Sequence, residues 1–275
     1  MADRKAIFLD IDGTLTLPGE NEPPKSARRA VLRAREKGHQ VFLCTGRSME
    51  MTRPLLAYGF DGVIASAGGI VSAGGRELFD CPVRADQLTV LLEVLERNGI
   101  FRILEGKDRV FGDRKLHVCL PDRADNSEME RWIRAMSEKM GVRPMEDYDG
   151  SPVYKVVFFY QEEEQLREPR LLLEKDFEFC LQAVKQSAKW LNGELISRSF
   201  SKGMAVRIIC DNLGIPLEDT VGFGDSMNDL SMLEAVGTSV CMGNGQEDLK
   251  EKCGLVCPGV SEDGLEKAFL ELELI

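Results

Sequence analysis

Two short stretches of the chain carry the residue types that chemistry needs. "DIDGT" sets Asp10 and Asp12 one residue apart at the end of the apolar run Ala6-Ile7-Phe8-Leu9. "GDSMND" sets Asp225 and Asp229 four residues apart, with Asn228 beside the second. Alternate residues of a strand point to the same side. Asp10 and Asp12 could therefore both face the crevice beyond a strand's carboxyl end, where open α/β sheets bind ligands. Two carboxylates that close repel unless a cation or a proton relieves them. Magnesium takes oxygen ligands and accepts phosphate oxygens beside them. The pair would then supply one nucleophile and one acid/base. The plain alternatives are an Asp-rich turn bent at Gly13 and, for the second stretch, a capping Asp plus a surface Asp.

Two single positions add to these. Thr45 ends "VFLCTG" with Gly46, and a hydroxyl with free backbone N–H groups at a helix start makes a small anion site; an ordinary N-cap is the alternative. Lys202, in "SFSKG", opens a helix that Ser201 can cap. Its point charge adds to the helix-start field and suits a phosphate, although a lone lysine is ordinarily a surface residue. The argument is convergence: each position falls at the carboxyl end of an expected strand or at the helix start beyond it.

The elements that must carry these residues read as α/β. "AIFLD" and "HQVFLCTG" suit parallel strands buried on both faces. Between them Ala27, Ala30, Val31 and Ala34 keep helical spacing, with Ser26 as N-cap and Gly38 as stop. This makes one right-handed βαβ unit over residues 5 to 45. A second helix follows, with Pro54 early in it, and then a strand in "FDGVIASAGG". The rhythm returns after "SKGMAVRIICDNLG". The middle differs: helices alternate with paired strand candidates, among them "FRILEG", "DRVFGD", "KLHVCL", "VYKVVFFY", "DFEFCLQAV" and "SAKWLNG". That order predicts an α+β insert. Its borders are expected near Cys81–Val83 and Asn192–Glu194, leaving 1–82 and 192–275 as core and 83–191 as insert.

Composition limits the partners. Lys and Arg number 35 against 46 Asp and Glu, a net charge of −11, which argues against non-specific nucleic-acid binding. A small anionic substrate stays possible, because a metal ion and one lysine reverse the field locally. The 8 cysteines mostly sit in apolar runs and read as buried, reduced thiols. Cys253 and Cys257 lack the second pair a zinc site needs. With no signal-peptide core and no run long enough for a membrane span, the expectation is a soluble, cytoplasmic protein without a membrane or nucleic-acid partner, as a monomer or homodimer.

Taken in order, "DIDGTLT", "TGR", "SKG" and "GDSMND" resemble the four motifs of the haloacid-dehalogenase-like hydrolases, and the insert resembles the α/β cap of the Cof-type phosphatases. The resemblance implies a Rossmannoid parallel-sheet core whose cap closes over the leaving group and chooses the substrate. It implies Asp10 as nucleophile, Asp12 as acid/base, and Thr45, the Gly46 amide and Asn228 as phosphate-side contacts. Lys202 would screen negative charge. Asp10, the Asp12 backbone carbonyl and Asp225 would bind Mg2+, with Asp229 a further acidic ligand of the metal or a partner of the residues that hold it. The implied activity is hydrolysis of a small phosphorylated metabolite, such as a sugar phosphate, through an aspartyl phosphate. Two alternatives stand beside it: a phosphotransferase similar to the phosphomannomutases, which open alike, and a non-enzymatic phospho-aspartate switch. Ala67-Gly68 stands where many relatives carry Asn-Gly, so a relative's substrate does not transfer. Arg102, Lys107, Arg109, Arg114, His117 and Lys189 are polar candidates on the cap.

Overall fold

The strand β1 (Ala6–Leu9) has no exposed residue, as burial on both faces of a sheet requires. The structure, a computed structural model, describes residues 4–114, 116, 119, 142–181 and 189–275. Next comes α1 (Lys25–Glu36), whose buried face holds Ala27, Ala30, Val31 and Ala34, the four residues picked out by spacing. Ser26 is not its cap: the helix begins one residue earlier, after Pro24, and Ser26 lies buried on the same face. The expected stop holds. His39 N–H donates to the Ala34 carbonyl and Gly38 N–H to that of Arg35, a Schellman ending.

The chain continues through β2 (Gln40–Cys44), α2 (Met49–Leu56), with Pro54 inside it, and β3 (Gly62–Ala65). Two strands follow that the sequence reading missed, β4 (Ile70–Ala73) and β5 (Arg76–Asp80). Gly74 and Gly75 join them with φ of 57° and 74°. Two consecutive positive φ values suit a tight hairpin and are open to glycine at no steric cost. That Gly-Gly pair was the available signal.

The inserted segment contributes α3 (Ala85–Arg97), β6 (Phe101–Gly106), β7 (Val110–Gly112), β8 (Val142–Pro144), β9 (Val153–Tyr160), α4 (Arg167–Leu173), β10 (Phe177–Leu181) and β11 (Leu191–Ser197). The strands form one sheet in the order β10-β11-β9-β6-β7-β8, antiparallel except between β7 and β8. Val156, Phe158 and Tyr160 of β9 join Leu88, Leu91 and Leu95 of α3 in one apolar cluster. The alternate position, Lys155, is fully buried, bonds Glu194 and lies 3.4 Å from Glu105. The stretch "NSEMERWIRAMSEKMG", whose pattern predicts a helix, and His117 fall outside the described residues. Of "KLHVCL" only Leu116 and Cys119 are described, Leu116 in 3-10 conformation and Cys119 in a turn.

The return segment adds α5 (Lys202–Leu213), β12 (Thr220–Gly224), α6 (Leu230–Ala235), β13 (Thr238–Met242), α7 (Glu247–Lys250), β14 (Leu255–Cys257) and α8 (Gly264–Glu271). With β1–β5 they build the second sheet, ordered β14-β13-β12-β1-β2-β3-β4-β5. All neighbours from β14 to β3 are parallel; β4 and β5 add an antiparallel edge. The chain divides into two compact units, Met1–Asp80 with Phe200–Ile275, and Cys81–Ser199. The border expected at 192 falls inside β11, whose residues Leu191–Ser197 are hydrogen-bonded to β9 and β10 and cannot leave that sheet. "SAKWLNG" likewise gives way to this later strand. The eight cysteines are free thiols, and among the described residues no helix is long and apolar enough to cross a membrane.

Candidate active site

Strand order creates the site. β1 lies between β2 and β12, parallel to both, with Leu9 opposite Leu43 and Phe223. The residues just past three adjacent carboxyl ends, Asp10, Thr45 and Asp225, are therefore brought together. Connections run one way from β1 through β2 to β3 and the other way from β12 through β13 to β14. That reversal is where open α/β sheets leave a crevice.

Lys202 reaches this point from the start of α5, which Ser201 caps by accepting the Met204 N–H at 3.1 Å. Its Nζ donates to Asp10 Oδ1 at 2.8 Å, to Asp229 Oδ1 at 2.5 Å and, at 3.4 Å, to Asn228 Oδ1. Asp229 Oδ2 accepts the backbone N–H groups of Asp225 and Ser226, each at 3.1 Å. Asp229 thus braces both Lys202 and the Asp225 loop. Gly13, at φ 86°, leaves room for Asp225: a Cβ there would stand 2.4 Å from Asp225 Oδ2. Thr45 is buried, and its Oγ1 accepts the Arg47 N–H at 3.1 Å.

Asp10, Asp225 and Asp229 offer carboxylate oxygens within 4.8 Å of one another. Burial and the neighbouring Asp229 raise the Asp10 carboxyl to about 7 despite Lys202. Burial, then Asp10, raises Asp225 to about 9. Burial opposes the charge on Lys202, but Asp10 and Asp229 outweigh it and hold the ammonium well above its ordinary range. Three acids face one cation, and two are pushed toward their neutral forms. An all-oxygen donor set short of positive charge fits a hard divalent cation.

The Asp12 carboxylate stands outside this cluster and turns onto Arg47, which donates from Nε to Oδ2 at 2.8 Å and from Nη2 to Oδ1 at 2.7 Å. The sequence reading quoted "TGR" but gave Arg47 no part. Its type reads as surface, and acceptors well before it in the chain, Asp12 above all, explain its burial. Among the insert candidates, Arg102 pairs with Asp113 and Glu96, Arg109 with Asp149, and Arg114 with Glu146. Lys189 is exposed.

The turn after β3 supports the Thr45–Arg47 segment. Ser66 N–H donates to the Arg47 carbonyl at 2.8 Å and Ala67 N–H to that of Thr45 at 2.9 Å. Ser66 and Ala67 hold φ of 50° and 58°, left-handed values that strain residues with a Cβ. Asparagine tolerates this region better than alanine. Ala67→Asn should therefore raise stability by about 1 kcal/mol, read as a higher urea midpoint at unchanged slope; a lower midpoint would count against strain at this turn.

A family model described as haloacid dehalogenase-like hydrolase matches residues 7–269. The chain belongs to that family. Its likeness to known members runs end to end. It is 28% identical over 277 residues to the 5-amino-6-(5-phospho-D-ribitylamino)uracil phosphatase YwtE of Bacillus subtilis (strain 168), covering 95% of each chain. It is 29% identical over 284 residues to the phosphatase YwpJ of the same organism, covering 95% of this chain and 97% of that one. A solved structure from Geobacillus kaustophilus HTA426 superposes with a TM-score of 0.80 at 27% identity, over 99% of this chain and 100% of that one. This haloacid dehalogenase-like hydrolase is an enzyme of the phosphatase type, with the α/β core and inserted α+β unit that its motifs predicted.

Proposed function

We propose that the enzyme is a magnesium-dependent phosphatase of small phosphorylated metabolites, sugar phosphates foremost, working through an aspartyl phosphate on Asp10. One observation carries the reading: Asp10, Asp225 and Asp229 converge with Lys202 at the carboxyl ends of β1 and β12, short of positive charge. Phosphoryl transfer asks the protein mainly for positioning and charge neutralisation. Asp10 attacks phosphorus and takes the phosphoryl group. Asp12 gives a proton to the leaving alcohol, then takes one from the water that hydrolyses the intermediate. Lys202 balances charge on Asp10 and the phosphoryl oxygens, and Asn228, bonded to Lys202, keeps it in place. Thr45 and the Gly46 amide hold phosphate oxygens. Magnesium, when bound by Asp10, the Asp12 carbonyl and Asp225, supplies neutralising charge; Asp229 stays with Lys202. The inserted unit, 81–199, is proposed as the cap that selects the leaving group.

The test is a panel of alkyl phosphates (hexose 6-phosphates, glycerol phosphates, phosphorylated vitamins) with p-nitrophenyl phosphate, with and without magnesium. Turnover that requires the metal and releases free phosphate supports the reading. Turnover unaffected by chelation, or an isomeric phosphate as product, overturns it. Binding to the native state alone also predicts a higher melting temperature, worth about 2.7 kcal/mol at 100 times the Kd. No shift at millimolar magnesium would remove the acid cluster as a metal site.

A further inference from the structure

We propose that Arg47 is the positioning residue for the Asp12 carboxylate. The proposal rests on the phosphatase reading above, in which Asp12 exchanges protons with the leaving alcohol and with water. Asp12 is not among the three acids that converge with Lys202. Its carboxylate is held instead by a two-pronged fork, Arg47 Nε to Oδ2 at 2.8 Å and Nη2 to Oδ1 at 2.7 Å, with the Gly19 N–H adding a third bond to Oδ1 at 2.9 Å. Parallel guanidinium–carboxylate bonds fix the plane of the acid as well as its place.

Arg47 is itself braced at both ends. Nη1 donates to Asn21 Oδ1 at 2.6 Å and Nη2 to the Glu20 carbonyl at 2.9 Å. At the backbone, its N–H donates to Thr45 Oγ1 at 3.1 Å and its carbonyl accepts the Ser66 N–H at 2.8 Å. The residue is 1% exposed, so no competing rotamer lies open in solvent. A buried arginine with each guanidinium nitrogen hydrogen-bonded aims its partner, and a proton carrier works only from a set position. The same segment would present Thr45 and Gly46 to the phosphate. Acid/base and phosphate contacts are therefore tied to one turn, and neither moves without the other.

The consequence is a dependence on leaving group. p-Nitrophenolate departs as a stable anion and needs little help from a proton donor; an alkoxide needs that donor in place. Arg47→Lys keeps the charge and loses the fork. It should lower kcat/KM for the best alkyl phosphate of the panel about 100-fold, and for p-nitrophenyl phosphate less than about 5-fold. Asn21→Ala, which loosens Arg47 from the half-buried rim, should shift the ratio the same way by a smaller factor. Circular dichroism and melting establish that each variant folds; should Arg47→Lys fail there, Asn21→Ala decides alone. Equal losses on both esters, or an unchanged ratio in the folded variant, overturn the proposal. A wild-type enzyme inactive on the whole panel, or an Asp10→Asn variant as active as wild type, defeats the phosphatase reading instead.

Discussion

Asp10→Asn should abolish turnover of p-nitrophenyl phosphate, with kcat falling about 10⁴-fold or more, the scale seen when a covalent nucleophile is removed. The change is nearly isosteric, and the amide oxygen can still accept from Lys202, so geometry is kept while the nucleophilic oxygen is lost. The fold should not suffer. In the protein as it stands, burial and Asp229 work against ionised Asp10, and a neutral side chain removes that repulsion. The metal-free variant should melt no lower than the wild type. Loss of activity without loss of stability separates a chemical role from a structural one. A variant that keeps most of its activity ends the assignment of Asp10 as nucleophile.

Lys202→Met should have the second largest effect, and on both counts. Lys202 is 2% exposed and is ion-paired with Asp10 and Asp229. Taking one partner out of a buried ion pair leaves uncompensated charge, at about 3–5 kcal/mol. The loss should appear as a lower denaturation midpoint in the metal-free protein, together with near-complete loss of turnover; a fold as stable as the wild type would contradict the pairing. Acidity sets the sign of a companion effect. Asp10 and Asp225 titrate at about 7 and about 9 in the fold, against an ordinary 3.8. The folded state therefore binds more protons than the unfolded chain between those values, and metal-free stability should rise as pH falls from about 9 toward 4. Melting curves across that range check it; a rise in the opposite direction would mean the acids are not strained.

What the sequence made legible and what it hid differ by physical cause. β1, β2 and β12 are short apolar runs, and parallel burial leaves such runs plainly visible. Asp10 and Asp225 stand at the ends of β1 and β12, and Lys202 at the start of α5, where type and position agree. Arg47 was hidden because burial of an arginine depends on a partner elsewhere in the chain, and no local pattern marks it. Lys155 was hidden for a related reason: "VYKVVFFY" reads as an apolar strand with one polar interruption, and only cross-strand register brings Glu105 and Glu194 to it. The β4–β5 hairpin was legible through Gly74-Gly75 and was passed over. The border expected near Asn192–Glu194 lies inside β11, because the cross-strand pairing that keeps Leu191–Ser197 with β9 and β10 leaves no local mark in the sequence.

The pairing of β1 with β12 has a consequence for how the enzyme comes into being. The bond from Thr14 to Asp225 spans 211 residues and that from Lys202 to Asp10 spans 192. On the ribosome, the segment bearing Asp10 emerges first and waits, with one side of β1 unmatched, while the whole inserted unit is made. Contacts so distant in sequence close late. A nascent chain that does not yet include Asp225 and Asp229 cannot assemble the acid cluster.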